Sequence, residues 1–400
     1  AGMASEGADV VDLGVIPTPG VAWAASRRGL PGAVVSASHN PFADNGVKLI
    51  GAGGLKLSDA EEEAVEAELE RILAGEGKAR RPPTGPAVGV LRAEHEALDD
   101  YLAHLVAATE GRDLAGMKVV VDCANGAASA VAPVVLERLG ADVRVVCADP
   151  DGTNINAGCG STDPGLLAAE VRASGAEVGL ALDGDADRLL AVDHTGTLWS
   201  GDELLALFAA DLAGRGRLAG NTVVVTVMSN LGLRLALAEQ GITVRETPVG
   251  DRYVLEALEA DGLALGGEQS GHLVFRHLAT TGDGVLTGVL LLDLLRRSGR
   301  PFAELAGAAM VRLPQVLHNV AVADPAAVVE AAEVQGELAA VRDALGDRGR
   351  VVLRASGTEP LVRVMVEAPE QGTATEAAER LGAVVAAAGS ASAAPGARSS

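Results

Sequence analysis

The sequence predicts a multidomain α/β protein that ends in a small α+β domain, and three observations support this prediction. Strand-like apolar runs alternate with helical segments between residues 100 and 310, a pattern typical of α/β folds with largely parallel sheets. A length of 400 residues with 48% hydrophobic content allows roughly three domains. Because aromatic residues make up only 2% of the chain, small aliphatic side chains must form the cores.

Residues 1–92 are expected to form the first domain. The opening AGMASEGADVVDLG is typical of a helix end that leads into a strand. Residues 57–81 are acidic and amphipathic, which predicts a helix with Ser58 or Asp59 as its N-cap. The RPPTGP at its end indicates a break in the helical pattern.

Residues 93–198 and 199–310 are expected to form two further α/β domains. The first begins with a helix over 95–109, which leads to the buried-type strand and Gly-containing turn of KVVVDCANGAA. Strand and helix alternate again in EVGLALDGDADRLLAVD and in NTVVVTVMSNLGLRLALAEQGITVRE. Each unit has the size of one compact domain.

Residues 311–388 are expected to form the α+β domain. An Ala-rich helix precedes a hairpin-like pair of strands over 350–368 and a helix over 373–388. The final residues 389–400 are of low complexity, which predicts disorder.

The formal net charge of -22 argues against nucleic acid and against an anionic membrane surface as partners. An anionic small molecule would need local Arg, Lys or backbone N–H groups. The longest apolar stretch, 284–295, is interrupted by Asp293 and is too short to span a bilayer. Three cysteines without a C-x-x-C pair predict reduced thiols and a cytoplasmic protein.

A candidate metal site lies in LALDGDADR, residues 180–188. Asp183, Asp185 and Asp187 directly follow an apolar run, so three carboxylates can converge at the end of a strand. Hard oxygen ligands suit Mg²⁺, and Arg188 could hold a phosphate oxygen beside it. The residues required at positions six and twelve of an EF-hand are absent. A solvated acidic turn is the alternative.

A candidate phosphate site lies in VLRASGTEPLVRV, residues 352–364. Arg354, Ser356, Thr358 and Arg363 surround a Gly-containing turn between two strands, offering guanidinium groups, hydroxyls and backbone N–H groups. The alternative is an ordinary hairpin turn.

A third polar segment is LGGEQSGHL, residues 265–273. Glu268, Ser270 and His272 fall at every second position, so an extended segment would direct all three to one face. Such groups suit the hydroxyls of a sugar. The alternative is a Gly-rich loop whose polar groups face water.

The loop VVSASHNPFADNGVKL, residues 34–49, places Ser38 beside His39. A hydrolase would use such a pair, but G-x-S-x-G is absent and no acid partner can be assigned to the histidine. Turn formation explains Asn40–Pro41 and its neighbours equally well. The sequence contains no Walker loop and no G-x-G-x-x-G, so nothing indicates a nucleotide.

Read together, SASHNP, DGDADR, GEQSGH and RASGTEP resemble the serine-phosphate, metal, sugar and phosphate loops of the α-D-phosphohexomutase family, in that order. The segments VDCANGA, INAGCGSTDP, VGDRYV and ATTGDGVLTGVLLL are similar to its glucosamine-specific branch. The resemblance covers nearly the whole chain. It implies three α/β domains with mixed sheets plus a small C-terminal α+β (TBP-like) domain.

The resemblance also implies an isomerase. Phosphorylated Ser38 would donate its phosphoryl group to the sugar, giving a bisphosphate that returns its other phosphate to the serine. Glucosamine 6-phosphate and glucosamine 1-phosphate would thereby interconvert, feeding UDP-N-acetylglucosamine and bacterial cell-wall precursors. One Mg²⁺ per active site would be held by Ser38 and the three aspartates. Lys48, His272 and Arg188 match catalytic positions of the family.

The only expected partner is a small-molecule phosphosugar, and the oligomeric state stays open. The family pattern assigns substrate binding to Arg252, Glu268, Ser270, His272, Arg354, Ser356, Gly357, Thr358 and Arg363.

One departure from the family is expected to matter. Its opening segment, with a GTDGVRG-like loop, is absent from this sequence, so either the gene model starts too late or the chain is a fragment. Three alternatives therefore stay open: a phosphomannomutase/phosphoglucomutase of the same family, a truncated homologue that binds phosphosugars without turnover, and a haloacid-dehalogenase-type phosphatase with Asp183 as nucleophile. Arg188, in place of a hydroxyl residue after the triplet, argues against the last.

Overall fold

The computed structural model describes residues 1–76, 83–94, 96–356 and 359–393. The chain divides into two compact units. The first comprises Ala1–Met228 and Gln240–Ala309, and the second comprises Ser229–Glu239 and Met310–Ser400. Each unit is described by itself below.

The N-terminal part of the first unit combines short strands with two longer helices. The elements are α1 (Gly2–Ser5), β1 (Val10–Asp12), α2 (Thr18–Arg28), β2 (Gly32–Ser36), β3 (Gly46–Ile50), α3 (Asp59–Leu73) and β4 (Leu91–Ala93). Strands β2 and β3 are antiparallel, and β1 pairs with β4 in parallel. Ser58 caps α3 in a capping box with Glu61, as its position before the acidic run predicts. The helix ends eight residues before the expected position 81, and residues 77–82 lie outside the described part of the chain.

A five-stranded mixed sheet follows. The elements are α4 (Glu96–Ala107), β5 (Lys118–Asp122), α5 (Ala132–Arg138), β6 (Asp142–Val146), α6 (Gly165–Ser174), β7 (Val178–Leu182), β8 (Leu189–Asp193) and β9 (Leu198–Trp199). The strand order is β6-β5-β7-β8-β9, with β5, β6 and β7 parallel and the last two strands antiparallel. Strands β5 and β7 are central and almost fully buried, which accounts for their uninterrupted aliphatic sequence.

A second mixed sheet repeats this topology. The elements are α7 (Gly201–Gly214), β10 (Thr222–Thr226), α8 (Leu231–Glu239), β11 (Thr243–Thr247), α9 (Asp251–Asp261), β12 (Leu265–Gly267), β13 (Leu273–Phe275), α10 (Gly284–Ser298) and α11 (Phe302–Ala309). The strand order is β11-β10-β12-β13, with β13 antiparallel to β12. Helix α8 belongs to the second compact unit.

The rest of the second unit is an antiparallel sheet covered by helices. The elements are β14 (Gln315–Ala321), α12 (Pro325–Glu330), α13 (Ala332–Leu345), β15 (Arg350–Ala355), β16 (Leu361–Glu367) and α14 (Gln371–Ala393). The strand order is β14-β16-β15. Valines of the sheet pack against leucines and alanines of α13 and α14 to form one core. The α/β class with a C-terminal α+β part is confirmed.

The C-terminal helix is longer than expected. Helix α14 continues to Ala393, although disorder was expected from residue 389. Alanine has the highest helix propensity of all residues, so a segment of low complexity that is rich in alanine still extends the helix. Residues 394–400 lie outside the described part of the chain. In the part that the structure describes, no helix is both long enough and apolar enough to cross a membrane.

Candidate active site

The three predicted metal ligands lie in the loop that joins β7 to β8. The loop reverses the chain with Ala186 in the left-handed region, at a φ of 58°. Asp183, Asp185 and Asp187 are buried, and one carboxylate oxygen from each lies within 4.8 Å of the others. The expected convergence of the three carboxylates is therefore observed.

The electrostatics of this loop favour a cation. Burial, together with the carboxylates of Asp187 and Asp185, raises the pKa of Asp183 well above its usual range. Burial also acts to raise the pKa of Asp187, but the neighbouring His272 and Lys48 outweigh it and lower that pKa. Three buried carboxylates this close cannot all be ionised without compensating positive charge.

These residues fit a magnesium ion. All three side chains offer hard oxygen ligands, which Mg²⁺ prefers. Among the described residues, no donor lies within hydrogen-bond distance of the buried Oδ1 of Asp185. Because a buried acceptor without a donor is costly, this atom is suited to a cation.

The Ser38 loop lies directly against the metal loop. It connects β2 and β3, and Ser38 itself has a φ of 52°, in the left-handed region. Its Oγ donates to Oδ2 of Asp183 at 3.3 Å, and its carbonyl accepts from the N–H of Gly184 at 3.1 Å. A Cβ at Gly184 would lie 2.5 Å from that carbonyl, so only glycine allows this close approach.

Lys48 extends from β3 onto the same carboxylates. Its Nζ donates to Oδ2 of Asp185 at 2.6 Å and to Oδ2 of Asp187 at 3.2 Å. Burial acts to lower the pKa of Lys48, but the two carboxylates outweigh it and raise that pKa. Lys48 is therefore a protonated side chain that supplies part of the positive charge the loop requires.

His272 is buried on the other side of Asp187. Its Nε2 accepts the N–H of Gly282 at 3.0 Å, so the proton of the neutral ring is on Nδ1, which lies 3.7 Å from Oδ1 of Asp187. Nε2 also lies 3.7 Å from Oδ2 of Asp251. Burial acts to lower the pKa of His272, and the carboxylates of Asp187 and Asp251 outweigh it and raise that pKa.

The prediction that Glu268, Ser270 and His272 lie along one face of an extended segment is wrong. The chain forms a tight hairpin between β12 and β13, in which the N–H of Glu268 donates to the carbonyl of His272 at 3.1 Å. Gly271, at a φ of 93°, allows the reversal that an extended segment lacks. Oε1 of Glu268 accepts the N–H of Gly250, and Oγ of Ser270 lies 3.5 Å from Oε2 of Glu268.

Two predicted arginines border this region. The backbone N–H of Arg188 donates to Oδ1 of Asp183 at 3.1 Å, and the side-chain Nε of Arg188 is 3.8 Å from Oδ1 of Asp187. Arg252 forms ion pairs with Asp59 and Glu62 of α3. The substrate-contact roles of both arginines stay predictions.

The predicted phosphate loop belongs to the second compact unit. Arg354 and Arg363 stand opposite each other on β15 and β16, and Arg363 pairs with Glu359 at 2.8 Å. The N–H of Ser356 donates to the carbonyl of Leu361 at 2.9 Å. Two like charges directly opposite on a sheet repel each other, and the carboxylate of Glu359 offsets part of this repulsion. Gly357 and Thr358 lie outside the described residues.

Three residues at the site had no role in the sequence-based prediction. Thr18, at the start of α2, donates from Oγ1 to Oδ2 of Asp185 at 2.7 Å. Asn156 donates from Nδ2 to the carbonyls of Ser38 and Asn40 at 2.7 and 2.8 Å. Asp251 faces His272 and forms an ion pair with a lysine. Two of the three lie in segments that resemble the family: Asn156 in INAGCGSTDP and Asp251 in VGDRYV. Thr18 had no such signal.

Comparison with known protein families identifies the class. Four family models of phosphoglucomutase/phosphomannomutase match the chain: domain I at residues 1–76, domain II at 99–196, domain III at 200–313 and the C-terminal domain at 317–383. The chain therefore belongs to the phosphoglucomutase/phosphomannomutase family, the α-D-phosphohexomutases. The expected resemblance is confirmed, as is an isomerase that transfers a phosphoryl group. The haloacid-dehalogenase alternative is ruled out.

Within the family, the chain is similar to several curated phosphoglucosamine mutases. The protein of Acidothermus cellulolyticus is 54% identical over 386 residues, covering 96% of this chain and 82% of that protein. The protein of Moorella thermoacetica is 52% identical, covering 93% and 82%.

Solved structures agree on the fold. A phosphoglucomutase/phosphomannomutase family protein of Burkholderia thailandensis has a TM-score of 0.76 at 26% identity, covering 97% of this chain and 84% of that one. The Aspergillus fumigatus N-acetylphosphoglucosamine mutase, solved with GlcNAc-6P and magnesium, has a TM-score of 0.68 at 21% identity, covering 93% and 92%. At this lower identity the likeness concerns the fold alone.

Proposed function

We propose that this chain is a phosphoglucosamine mutase, which interconverts glucosamine 6-phosphate and glucosamine 1-phosphate in the cytoplasm. The product would supply UDP-N-acetylglucosamine for peptidoglycan precursors. Relatives that carry this name are 54% and 52% identical to it over nearly the whole chain. The observation that carries the proposal is the position of Ser38 Oγ, 3.3 Å from Oδ2 of Asp183 in a buried triad of aspartates.

The aspartates and Ser38 define the phosphoryl-transfer centre. Mg²⁺ held by Asp183, Asp185, Asp187 and the Ser38 phosphate would neutralise the charge of the transferred group. Residues of the chain would contribute by fixing the position of Ser38. Hydrogen bonds from Gly184 and Asn156 to the Ser38 carbonyl fix the loop, so the Oγ is positioned for in-line transfer to a sugar hydroxyl.

Two side chains are placed for proton transfer. When the sugar hydroxyl forms its bond to phosphorus, that hydroxyl loses a proton and the bond from phosphorus to Ser38 Oγ breaks. The departing Oγ then needs a proton, which Lys48, protonated beside Asp185 and Asp187, can donate. In this assignment His272 would accept the proton of the attacking hydroxyl at Nε2, where that hydroxyl would have to displace the N–H of Gly282. The two roles would exchange in the return transfer.

The outer groups would bind the substrate. Arg354, Ser356 and Arg363, with Gly357 and Thr358, would bind the phosphate that does not react, since paired arginines suit phosphate oxygens. Glu268 and Ser270 would bind sugar hydroxyl or amino groups. Arg252 and Arg188 would add positive charge near the phosphates.

The proposal is tested with the purified chain, Mg²⁺ and glucosamine 6-phosphate. We expect glucosamine 1-phosphate to form, detected by ³¹P NMR, and to be lost when Mg²⁺ is chelated. Glucose and mannose phosphates assayed in parallel are expected to react more slowly, whereas a preference for either would assign the chain to another branch of the family.

The Ser38→Ala variant tests the phosphoserine directly. It is expected to abolish turnover, while Ser174→Ala, at the end of α6, serves as the matched control with full activity. Intact mass should show one phosphate on Ser38 that resists hydroxylamine, because a phosphoserine is an ester and not an acyl phosphate. Activity in Ser38→Ala, a hydroxylamine-labile phosphate, or tight binding of glucosamine 6-phosphate without turnover in folded protein would each contradict the proposal.

A further inference from the structure

A second group of potential metal ligands lies outside the aspartate loop. Asp122 ends β5, Cys147 follows β6 directly, and Cys159 precedes the turn that leads to α6. One ligand atom from each of the three side chains lies within 4.8 Å of the others. Because β5 and β6 are parallel neighbours, their carboxyl ends meet at the same edge of the sheet and bring residues far apart in sequence together.

Backbone and side-chain donors orient two members of this group. The carboxylate of Asp122 accepts the N–H groups of Ala124 at 2.9 Å and Gly160 at 2.8 Å. The side-chain amide of Asn125 lies 3.8 Å from the Sγ of Cys159, within hydrogen-bonding range of sulfur. Donors that orient a carboxylate and a thiolate in this way are the usual outer partners of metal ligands.

Metal binding at this group has to displace the protons of the two thiols. Burial, with the neighbouring carboxylate of Asp122, raises the pKa of Cys159 to about 12, and burial raises the pKa of Cys147. A thiol held in its protonated form is a poor nucleophile toward oxidants. A divalent cation binds in competition with the two thiol protons, which leave to solvent as the metal–sulfur bonds form.

We propose that Asp122, Cys147 and Cys159 form a binding site for a thiophilic divalent cation of the Zn²⁺ class, one per chain. Two sulfur ligands and one carboxylate oxygen are a donor set that zinc accepts, and it differs from the all-oxygen set of the aspartate loop. Cys147 is half-buried, so the site has a route to solvent.

The position of the site gives the cation a structural role. The residues between Cys147 and Cys159 include Asn156, whose Nδ2 donates to the carbonyls of Ser38 and Asn40. A cation bound to both cysteines would fasten the two ends of this segment to β5. The segment would then stabilise the Ser38 loop through Asn156, and the cation itself would not contact the substrate.

Cobalt is the spectroscopic probe for this site. The reduced, chelator-treated chain is titrated with Co²⁺ in excess Mg²⁺, which fills the aspartate loop. We expect near-ultraviolet thiolate-to-cobalt absorption that saturates at one Co²⁺ per chain and disappears when Zn²⁺ is added. Carboxylates cannot produce this absorption, so the aspartate loop does not contribute to it.

Three variants identify the ligands. Cys147→Ser and Cys159→Ser are each expected to weaken cobalt binding by at least about tenfold. The absorption at saturation should also fall, because one thiolate remains instead of two. Cys123→Ala is the matched control, because Cys123 is also buried beside Asp122 but is not in the group, and it should keep full absorption. Far-ultraviolet circular dichroism establishes that each variant is folded.

Alkylation of the unmodified chain gives a second measurement. Zn²⁺ should slow the reaction of iodoacetamide with Cys147 by about tenfold or more. The proposal is overturned if the wild-type chain shows no cobalt–thiolate absorption, if neither serine variant changes the absorption or the affinity for cobalt, or if Zn²⁺ leaves the alkylation rate unchanged. If a serine variant does not fold, the alkylation result alone decides.

Discussion

The two mixed sheets of the first unit share one topology but carry different chemistry at the same position. In each sheet, a parallel strand is followed by a tight reversal into an antiparallel strand. The reversal after β7 contains three carboxylates that can hold a cation. The reversal after β12 contains a carboxylate, a hydroxyl and an imidazole. Equivalent connections thus carry a cluster of carboxylates in one sheet and mixed polar groups in the other. In the proposed mechanism the first would hold the cation, and the second would bind the sugar and transfer a proton.

The two reversals also touch. The N–H of Leu189 donates to the carbonyl of Gly271 at 3.0 Å, and Nδ1 of His272 lies 3.7 Å from Oδ1 of Asp187. Side chains from the two reversals can act on one substrate only if the two sheets keep a fixed relative position. This backbone contact is therefore as important as the side chains themselves. Three predictions test the division of roles between the reversals, the contact that joins them, and the protonation of a carboxyl group next to the first reversal.

The largest effect is expected from a change in the first reversal. Asp185→Asn removes one charge from the cation site and should lower kcat by about 10³-fold, because a metal ion contributes several kcal/mol to phosphoryl transfer. The matched change in the second reversal, Glu268→Gln, should mainly raise KM, by about tenfold, through one weakened hydrogen bond. Steady-state kinetics at saturating Mg²⁺ measures both. Equal losses of kcat in the two variants would refute the division of roles.

The contact between the reversals is tested by Gly271→Ala. A Cβ there would lie 2.2 Å from the carbonyl oxygen of Leu189, on a residue with a φ of 93°. We expect a loss of about 3 kcal/mol in the free energy of unfolding, since both backbone strain and a clash must be relieved. Urea denaturation provides the measurement.

Gly175→Ala is the control for this variant. Gly175 also has a positive φ, of 67°, but a Cβ there would meet nothing within 4 Å. Backbone strain alone should cost about 1 kcal/mol. If both variants lose the same stability, the contact between the reversals contributes nothing.

The smallest effect concerns Asp283, at the start of α10. This helix touches the first reversal, since the N–H of Gly284 donates to the carbonyl of Ala186 at 2.9 Å. Burial raises the pKa of Asp283 to about 6, above the value near 3.9 of an unfolded chain. The protonated carboxyl therefore stabilises the fold fully below about pH 4, and this stability is lost as the pH rises through about 6.

Asp283→Asn is neutral at every pH and should remove this dependence. The free energy of unfolding of the variant, relative to the wild type, should increase by about 2 kcal/mol between pH 4 and pH 7. Urea titrations at several pH values measure the difference. A difference that does not vary with pH would show that Asp283 titrates normally in the folded chain.

The sequence predicted the parts of the site that local patterns determine. Three aspartates directly after an apolar run are expected to converge at the end of a buried strand, and they do so. The sequence favoured an extended segment at Glu268, and the structure has a hairpin there instead. The prediction was wrong because alternating polar residues fit a strand and a Gly-rich turn equally well. The positive φ of Gly271 produces the hairpin. A glycine can adopt this conformation but need not, so its presence in the sequence does not predict the turn.

Other contacts were outside the reach of the sequence because they depend on tertiary structure. Thr18 and Asp185 are 167 residues apart, and Asn156 and Ser38 are 118 residues apart. No periodicity or propensity relates such positions. The pairing of Lys48 with two aspartates was likewise not predicted, although Lys48 itself was identified through its family position.

The left-handed conformation of Ser38 has a consequence for engineering. Glycine would suit that backbone better, by about 1 kcal/mol, so Ser38→Gly should give a chain that is at least as stable and lacks the hydroxyl. A search for stabilising substitutions would therefore remove the hydroxyl that the proposed mechanism needs. At this position backbone stability favours glycine, whereas the proposed phosphoryl transfer needs serine.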